Sequence, residues 1–126
     1  MSAKSVERPP MKIISLENVS QFPMKAEGAR GVTKQIPIGR EDGAPNFVFR
    51  VFTIEPGGET PFHTHDFEHV NYVIEGRGGL VSGDGQEWEI RAGEFALVLP
   101  GEKHQYRNWS EDEPFVMICA VPREYE

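Results

Sequence analysis

A chain of 126 residues is long enough for one domain with one hydrophobic core and too short for two. Its apolar content of 38% fits an ordinary soluble globular protein, and its net charge of −7, from 20 Asp+Glu against 13 Lys+Arg, argues against nucleic acid as a partner. One cysteine, Cys119, allows no internal disulfide, no apolar run approaches the ~20 residues of a membrane span, and the first ten residues lack the apolar core of a signal peptide. The expectation is a cytoplasmic protein with no membrane contact.

Residues 1–10, with two prolines and mixed charge, read as a flexible N-terminal arm, and residues 11–126 as the folded domain. Residues 12–16 suit a short edge strand. Residues 17–31 are mixed, and Gly28 and Gly31 discourage a long helix there. Residues 32–38 alternate as a strand does, and residues 39–46 form a turn cluster. From there the pattern is consistently β. Residues 47–54 are aromatic and β-branched, interrupted by Arg50. A turn is expected over 55–59, strands over 60–65 and 69–75, and a turn over 76–79. Residues 80–82 are short and extended, and 83–86 read as a hairpin loop before a strand at 87–90. A turn at 91–94 precedes strands at 95–99, 104–109 and 115–121. Thirteen glycines and ten prolines punctuate this series. Short strands between Gly-rich turns predict an all-β sandwich or small barrel.

The four histidines carry the chemistry. Three fall within seven residues, His63-Thr64-His65-Asp66-Phe67-Glu68-His69, and His104 follows the turn at 100–103. Side chains two apart on a strand share a face, so His63 and His65 can aim one way. His69 can open the next strand beside them, and a barrel can bring His104 alongside. Neutral imidazole suits Mn, Fe, Ni, Cu and Zn. Without a cysteine pair this is not the usual structural zinc site, and an all-histidine site on a six-coordinate metal leaves positions open for chemistry. The metal ligands read from the sequence are His63, His65, His69 and His104. Glu68 is the competing ligand, although strand alternation turns it away from the side His69 faces.

The spacing resembles the cupin family. The first cupin motif, G-x5-H-x-H-x(3,4)-E-x6-G, is matched by Gly57, His63, His65, His69 and Gly76, with His69 where the family usually has glutamate. The second, G-x5-P-x-G-x2-H-x3-N, is matched by Gly93, Gly101, His104 and Asn108, with Leu99 in place of the proline. The resemblance extends over about residues 32–122 and implies a single-domain jelly-roll β-barrel with a metal near its mouth. The histidine at position 69 is similar to a subset of small single-domain bacterial cupins with four-histidine sites, which implies manganese or iron, with Zn, Ni or Cu as possible occupants. Replacing carboxylate by imidazole leaves a bound divalent ion at net 2+, a charge that favours anionic or chelating oxygen ligands.

Five further residues are candidates for a substrate pocket. Arg50 interrupts an apolar strand and is either a surface residue or a cation that orients an anionic substrate. Phe52 shares its parity. Met117 and Cys119 fall on one face of the last strand with Phe115, and Tyr106 shares parity with His104. Asn108 belongs to the motif and suits a backbone role. For function, the resemblance implies a dioxygenase-like oxidoreductase acting on a small molecule. A redox-neutral isomerase or lyase on a sugar or sugar acid, or a non-catalytic binding protein, are the rivals. A homodimer is expected, using residues 11–38, which have too little apolar content to stand alone.

Overall fold

The computed structural model describes residues 11–126, so the arm expected at residues 1–10 lies outside the described residues. Nine strands form one strongly curved antiparallel sheet, a nearly closed barrel: β1 Phe22–Pro23, β2 Arg30–Ile38, β3 Phe47–Glu59, β4 His69–Glu75, β5 Arg77–Ser82, β6 Glu87–Arg91, β7 Phe95–Val98, β8 His104–Asn108 and β9 Phe115–Pro122. The pairing order is β6-β5-β8-β3-β9-β4-β7, with β2 added to β3 and β1 to β2. Among the described residues the remaining regular structure is three 3₁₀ turns, at Leu16–Asn18, Arg40–Asp42 and Arg123–Tyr125. Among the described residues no helix is long and apolar enough to cross a membrane. The architecture is consistent with a jelly roll.

Strand β3 closes the barrel. Over residues 47–54 it pairs with β9, along its other edge it pairs with β2, and its last residue, Glu59, meets Arg107 of β8. Residues 55–58, whose Pro-Gly-Gly sequence reads as a turn, fall inside the strand as a bulge: pairing with β2 resumes only at Glu59, and Gly57 has φ +79°. The register slips between Arg30 and Val32 opposite them, and this irregularity absorbs the bend. Gly58 is needed there, because a Cβ would lie 2.5 Å from the Arg30 carbonyl oxygen.

Three other boundaries differ from the sequence reading. Residues 12–16 are not a strand. The chain there is tied down by Gln35, whose Nε2 donates to the carbonyls of Leu16 and Val19 at 3.0 Å each. The turn expected at 76–79 is shorter, because Gly78 and Gly79 already pair with β6 and β8. Residues 60–65 make no regular strand and hold only an isolated bridge between His63 and His104.

The core is the barrel interior. Val48, Ile54, Val73, Phe115, Met117, Cys119 and Val121 are almost fully buried there. In β9 this follows from alternation: Phe115, Met117, Cys119 and Val121 point inward, while Ile118 and Ala120 are only half-buried. Asn108 closes one end. Its Nδ2 donates to the carbonyls of Ile54 and Glu113, at 2.8 and 2.9 Å, and its Oδ1 accepts from the Ser110 amide at 2.7 Å. Its place in the motif is therefore a backbone tie between β3, β8 and the loop into β9.

Candidate metal centre

The barrel interior opens at one end into a cavity of about 100 Å³, and all four histidines line it. His63 and His65 come from the extended stretch before β4, His69 from the first residue of β4, and His104 from the first residue of β8. With no regular strand at 60–65, the two leading histidines are held by individual backbone hydrogen bonds. His63 and His104 exchange N–H···O bonds of 3.1 Å in both directions, and the Gly101 amide donates to the His65 carbonyl at 2.8 Å. Gly101 turns the chain back toward β8 with φ +85°, a conformation that glycine adopts without strain.

His63, His65 and His104 are positioned to bind a metal ion: one nitrogen from each lies within 4.8 Å of the others. The hydrogen bonds behind them suit this role. Nδ1 of His65 donates to the Phe67 carbonyl and Nδ1 of His104 to the Glu102 carbonyl, each at 2.9 Å. Each bond fixes the tautomer and leaves the Nε2 lone pair free for a metal. His69 stands beside the trio. Its Nε2 lies 2.5 Å from Nε2 of His65, and its ring centroid is 5.0 Å from that of His104. Its Nδ1 is buried without a hydrogen-bond partner. His69 thus borders the donor set of His63, His65 and His104, whose clustered nitrogens fit a metal ion. Glu68, the rival ligand, is exposed and lines a groove on the outer face with Phe47 and Val70. It is turned away from the histidines, as strand alternation requires.

An aromatic stack holds this wall. Tyr125, near the C-terminus, stacks on Phe67 at 3.8 Å, Phe67 on His65 at 4.0 Å, and His65 on His69 at 4.2 Å. Phe67 and Tyr125 were not singled out in the sequence, since one lies in a short connection and the other beyond the last strand.

Burial favours the neutral form of His63, His69 and His104. His69 is pushed down to about 3, by burial first and then by the neighbouring His65, His104, Arg50 and His63. His104 is lowered chiefly by burial, and His63 by desolvation and then by His104. Neutral nitrogens are what a metal requires. The same shifts set a pH dependence. In the unfolded chain a histidine takes up a proton near pH 6.5, whereas folded His69 stays neutral until about pH 3. Below pH 6.5 the unfolded state therefore binds the extra proton, and stability is lost as pH falls. Above pH 6.5 both states are neutral and the group contributes nothing. Between pH 6.5 and 4 the metal-free protein should lose roughly 1 kcal/mol per pH unit from His69. Urea unfolding at pH 7 and pH 5 measures this, and His69→Gln should flatten the dependence. An equal slope in the two proteins would refute it.

The five pocket candidates, Arg50, Phe52, Tyr106, Met117 and Cys119, all line the cavity. Arg50 on β3 lies opposite Cys119 on β9, and Cys119 opposite Asn71 on β4. Its Nη2 donates to the Cys119 Sγ at 3.1 Å, and its guanidinium carbon sits 5.0 Å from the centroid of Phe52. The Tyr106 hydroxyl donates to Asn71 Oδ1 at 2.8 Å, and burial pushes that phenol well above its usual range. Asn71 was missed in the sequence, although it stands two residues after His69 on the same strand face. Among the described residues lining the cavity there is no Asp or Glu.

Comparison with known proteins supplies the context. The profile of the cupin domain matches residues 50–121. A crystal structure of the polyketide cyclase RemF from Streptomyces resistomycificus superposes with a TM-score of 0.84 and 33% identity, covering 89% of this chain and 79% of that one. A predicted oxalate decarboxylase of Thermotoga maritima superposes with a TM-score of 0.77 at 17% identity, over 89% of this chain and 99% of that one, a likeness of fold alone. By sequence, gentisate 1,2 dioxygenase 1 of Aquipseudomonas alcaligenes is 29% identical over 68 residues, which is 54% of this chain and 19% of that protein.

Proposed function

This chain belongs to the cupin family, and from that premise we propose that it is a metal-dependent oxidoreductase of the dioxygenase kind, acting on a small organic substrate. One observation carries the reading: the cavity at the histidine cluster offers imidazoles, an arginine and apolar walls, with no carboxylate among the described lining residues to move protons. Tyr106 is locked to Asn71 and disfavours ionisation, so it is not a base. In our reading His63, His65, His69 and His104 all hold the ion, which is manganese or iron. When bound, such an ion supplies electron transfer to O₂ and Lewis acidity toward substrate oxygens. The side chains do the rest. Phe52, Phe67 and Met117 exclude water, the hydrogen bonds to Phe67 O and Glu102 O hold His65 and His104 in place, and Arg50 faces the substrate.

The 33% identity with a polyketide cyclase over most of the chain favours a second reading, redox-neutral ring closure or isomerisation with the metal as a Lewis acid. One experiment separates the two. The protein is loaded with Mn²⁺, Fe²⁺ or Zn²⁺ and screened against small phenolics, 1,3-diketones and sugar acids in an oxygen electrode. Oxygen uptake matching substrate loss, with Mn²⁺ or Fe²⁺ only, supports the oxidoreductase. Full turnover with Zn²⁺ under argon refutes it in favour of the second reading.

We also propose a cytoplasmic homodimer built through residues 11–38. Met11, Ile13 and Phe22 in this segment are exposed apolar side chains, which a partner would cover. A monomer mass by light scattering at micromolar concentration would contradict it.

A further inference from the structure

The wall of the cavity contains a cation without a counter-ion. Arg50 is half-buried on β3, and among the described residues no carboxylate lies within ion-pairing distance of it. Its Nε is buried with no hydrogen-bond partner. The acceptor it does have, Cys119 Sγ at 3.1 Å, is a weak one. A buried guanidinium N–H left without an acceptor is costly, and the site retains it. Lys34, one strand away opposite Phe52, adds a second positive charge on this side. Its pKa is lowered by burial first and then by Arg50, while the Glu126 carboxylate acts in the opposite direction. The charge of Arg50 also reaches His63 and His69, so the guanidinium and the histidine cluster act on one small volume.

With a divalent ion on the histidines, this volume carries positive charge at two points and no negative side chain among the residues described. A neutral ligand leaves Arg50 uncompensated, whereas an anion answers it. The planar fork of arginine fits a carboxylate through two parallel hydrogen bonds. The same fork also takes phosphate, but the described residues form no α-helix whose N-terminal amides would add the further donors on which many phosphate sites draw. The cavity of about 100 Å³ has room for on the order of ten non-hydrogen atoms.

We propose that Arg50, braced by Cys119 and Phe52, is an anion subsite that takes the carboxylate of a small hydroxy- or keto-acid while the acid's second oxygen reaches the metal. The assignment rests on the metal-centre reading and names the substrate class for it. Arg50 selects the substrate by charge, the histidine-bound metal selects it by chelation, and the cavity limits its size. Amides and esters of the same acids are disfavoured because they leave the guanidinium without a counter-charge.

The test uses Zn²⁺-loaded protein, so that no oxidation intervenes, titrated calorimetrically with salicylate and with salicylamide. The two probes share size and chelating oxygen and differ in charge. Wild type should bind salicylate at least about tenfold more tightly, as hydrogen bonds to a charged group allow. Arg50→Gln should bring the ratio to within about twofold with zinc content unchanged. Should that variant fail to fold, Arg50→Lys decides: it keeps the charge but lacks the fork, so the ratio should fall several-fold. An undiminished ratio in the folded variant, equal affinities in wild type, or no binding of salicylate overturns the subsite. Zinc content is measured first. Failure to take up zinc refutes the metal centre instead, and benzoate against benzamide in metal-free protein then reads Arg50 alone. Preference for benzoate that Arg50→Gln abolishes sustains the subsite, and equal affinities overturn it.

Discussion

His104→Ala should take the protein from about one bound divalent ion per chain to less than about a tenth, with affinity falling at least about 100-fold. His104 is the most deeply buried of the three clustered histidines and the only one supplied by the far side of the barrel, from β8. Its ring is aimed by the Glu102 carbonyl, and its backbone is pinned to His63 by two hydrogen bonds of 3.1 Å. Alanine removes the donor and keeps the backbone bridge, so the fold survives while the site is lost. Metal analysis after dialysis reads the content, and chelator competition reads the affinity. Melting supplies a third measure. Metal that binds only the folded chain raises the melting temperature with concentration, and the variant should lose that rise. Two companions resolve the number of histidine ligands. His69→Ala should weaken the metal comparably if four histidines hold it, and Glu68→Gln should leave it unchanged. Undiminished affinity in His69→Ala reduces the site to His63, His65 and His104.

Gly76→Ala should destabilise the protein by at least about 3 kcal/mol and lower its melting temperature by about 10 °C or more. Two costs combine. Gly76 has φ +83°, which costs an alanine roughly 1 kcal/mol. Its Cβ would lie 2.3 Å from the Pro114 carbonyl oxygen and 3.2 Å from the Phe115 Cα. Both are backbone atoms, so no side-chain rotation relieves the overlap, and the start of β9 has to move. Phe115, fully buried at that point, moves with it. Gly57→Ala is the control. Gly57 has φ +79° but open space where a Cβ would project, so only the backbone cost of about 1 kcal/mol applies. Equal losses in the two variants by thermal or urea unfolding would refute the packing argument.

The contrast between these glycines shows how far the sequence could be read. Both belong to the spacing that marks the family, and nothing in the string distinguishes the one that packs against backbone. Strand content was legible where side chains alternate, as in Phe115–Pro122, because alternation is local. At residues 55–59 Pro-Gly-Gly signals a turn, and the chain instead makes a bulge inside β3, with Ile54 and Glu59 paired to β2 on either side of it. Strand content was misread at residues 60–65, where His63 and His65 share the cavity through single hydrogen bonds rather than a ladder.

What the sequence by itself determined is the all-β architecture, the family, and the four histidines with their spacing. Each is a matter of residue type and local period. Only the tertiary structure decided what those residues meet. Register across β3, β9 and β4 sets Arg50 against Cys119 and Cys119 against Asn71, three positions separated by up to 69 residues in the chain. Barrel closure sets His104 against His63 and His65, and Tyr125 behind Phe67. The physical reason is that pairing between distant strands follows from burying one shared core. A local pattern names the residues that can face a cavity, and only the closed barrel fixes which of them share it.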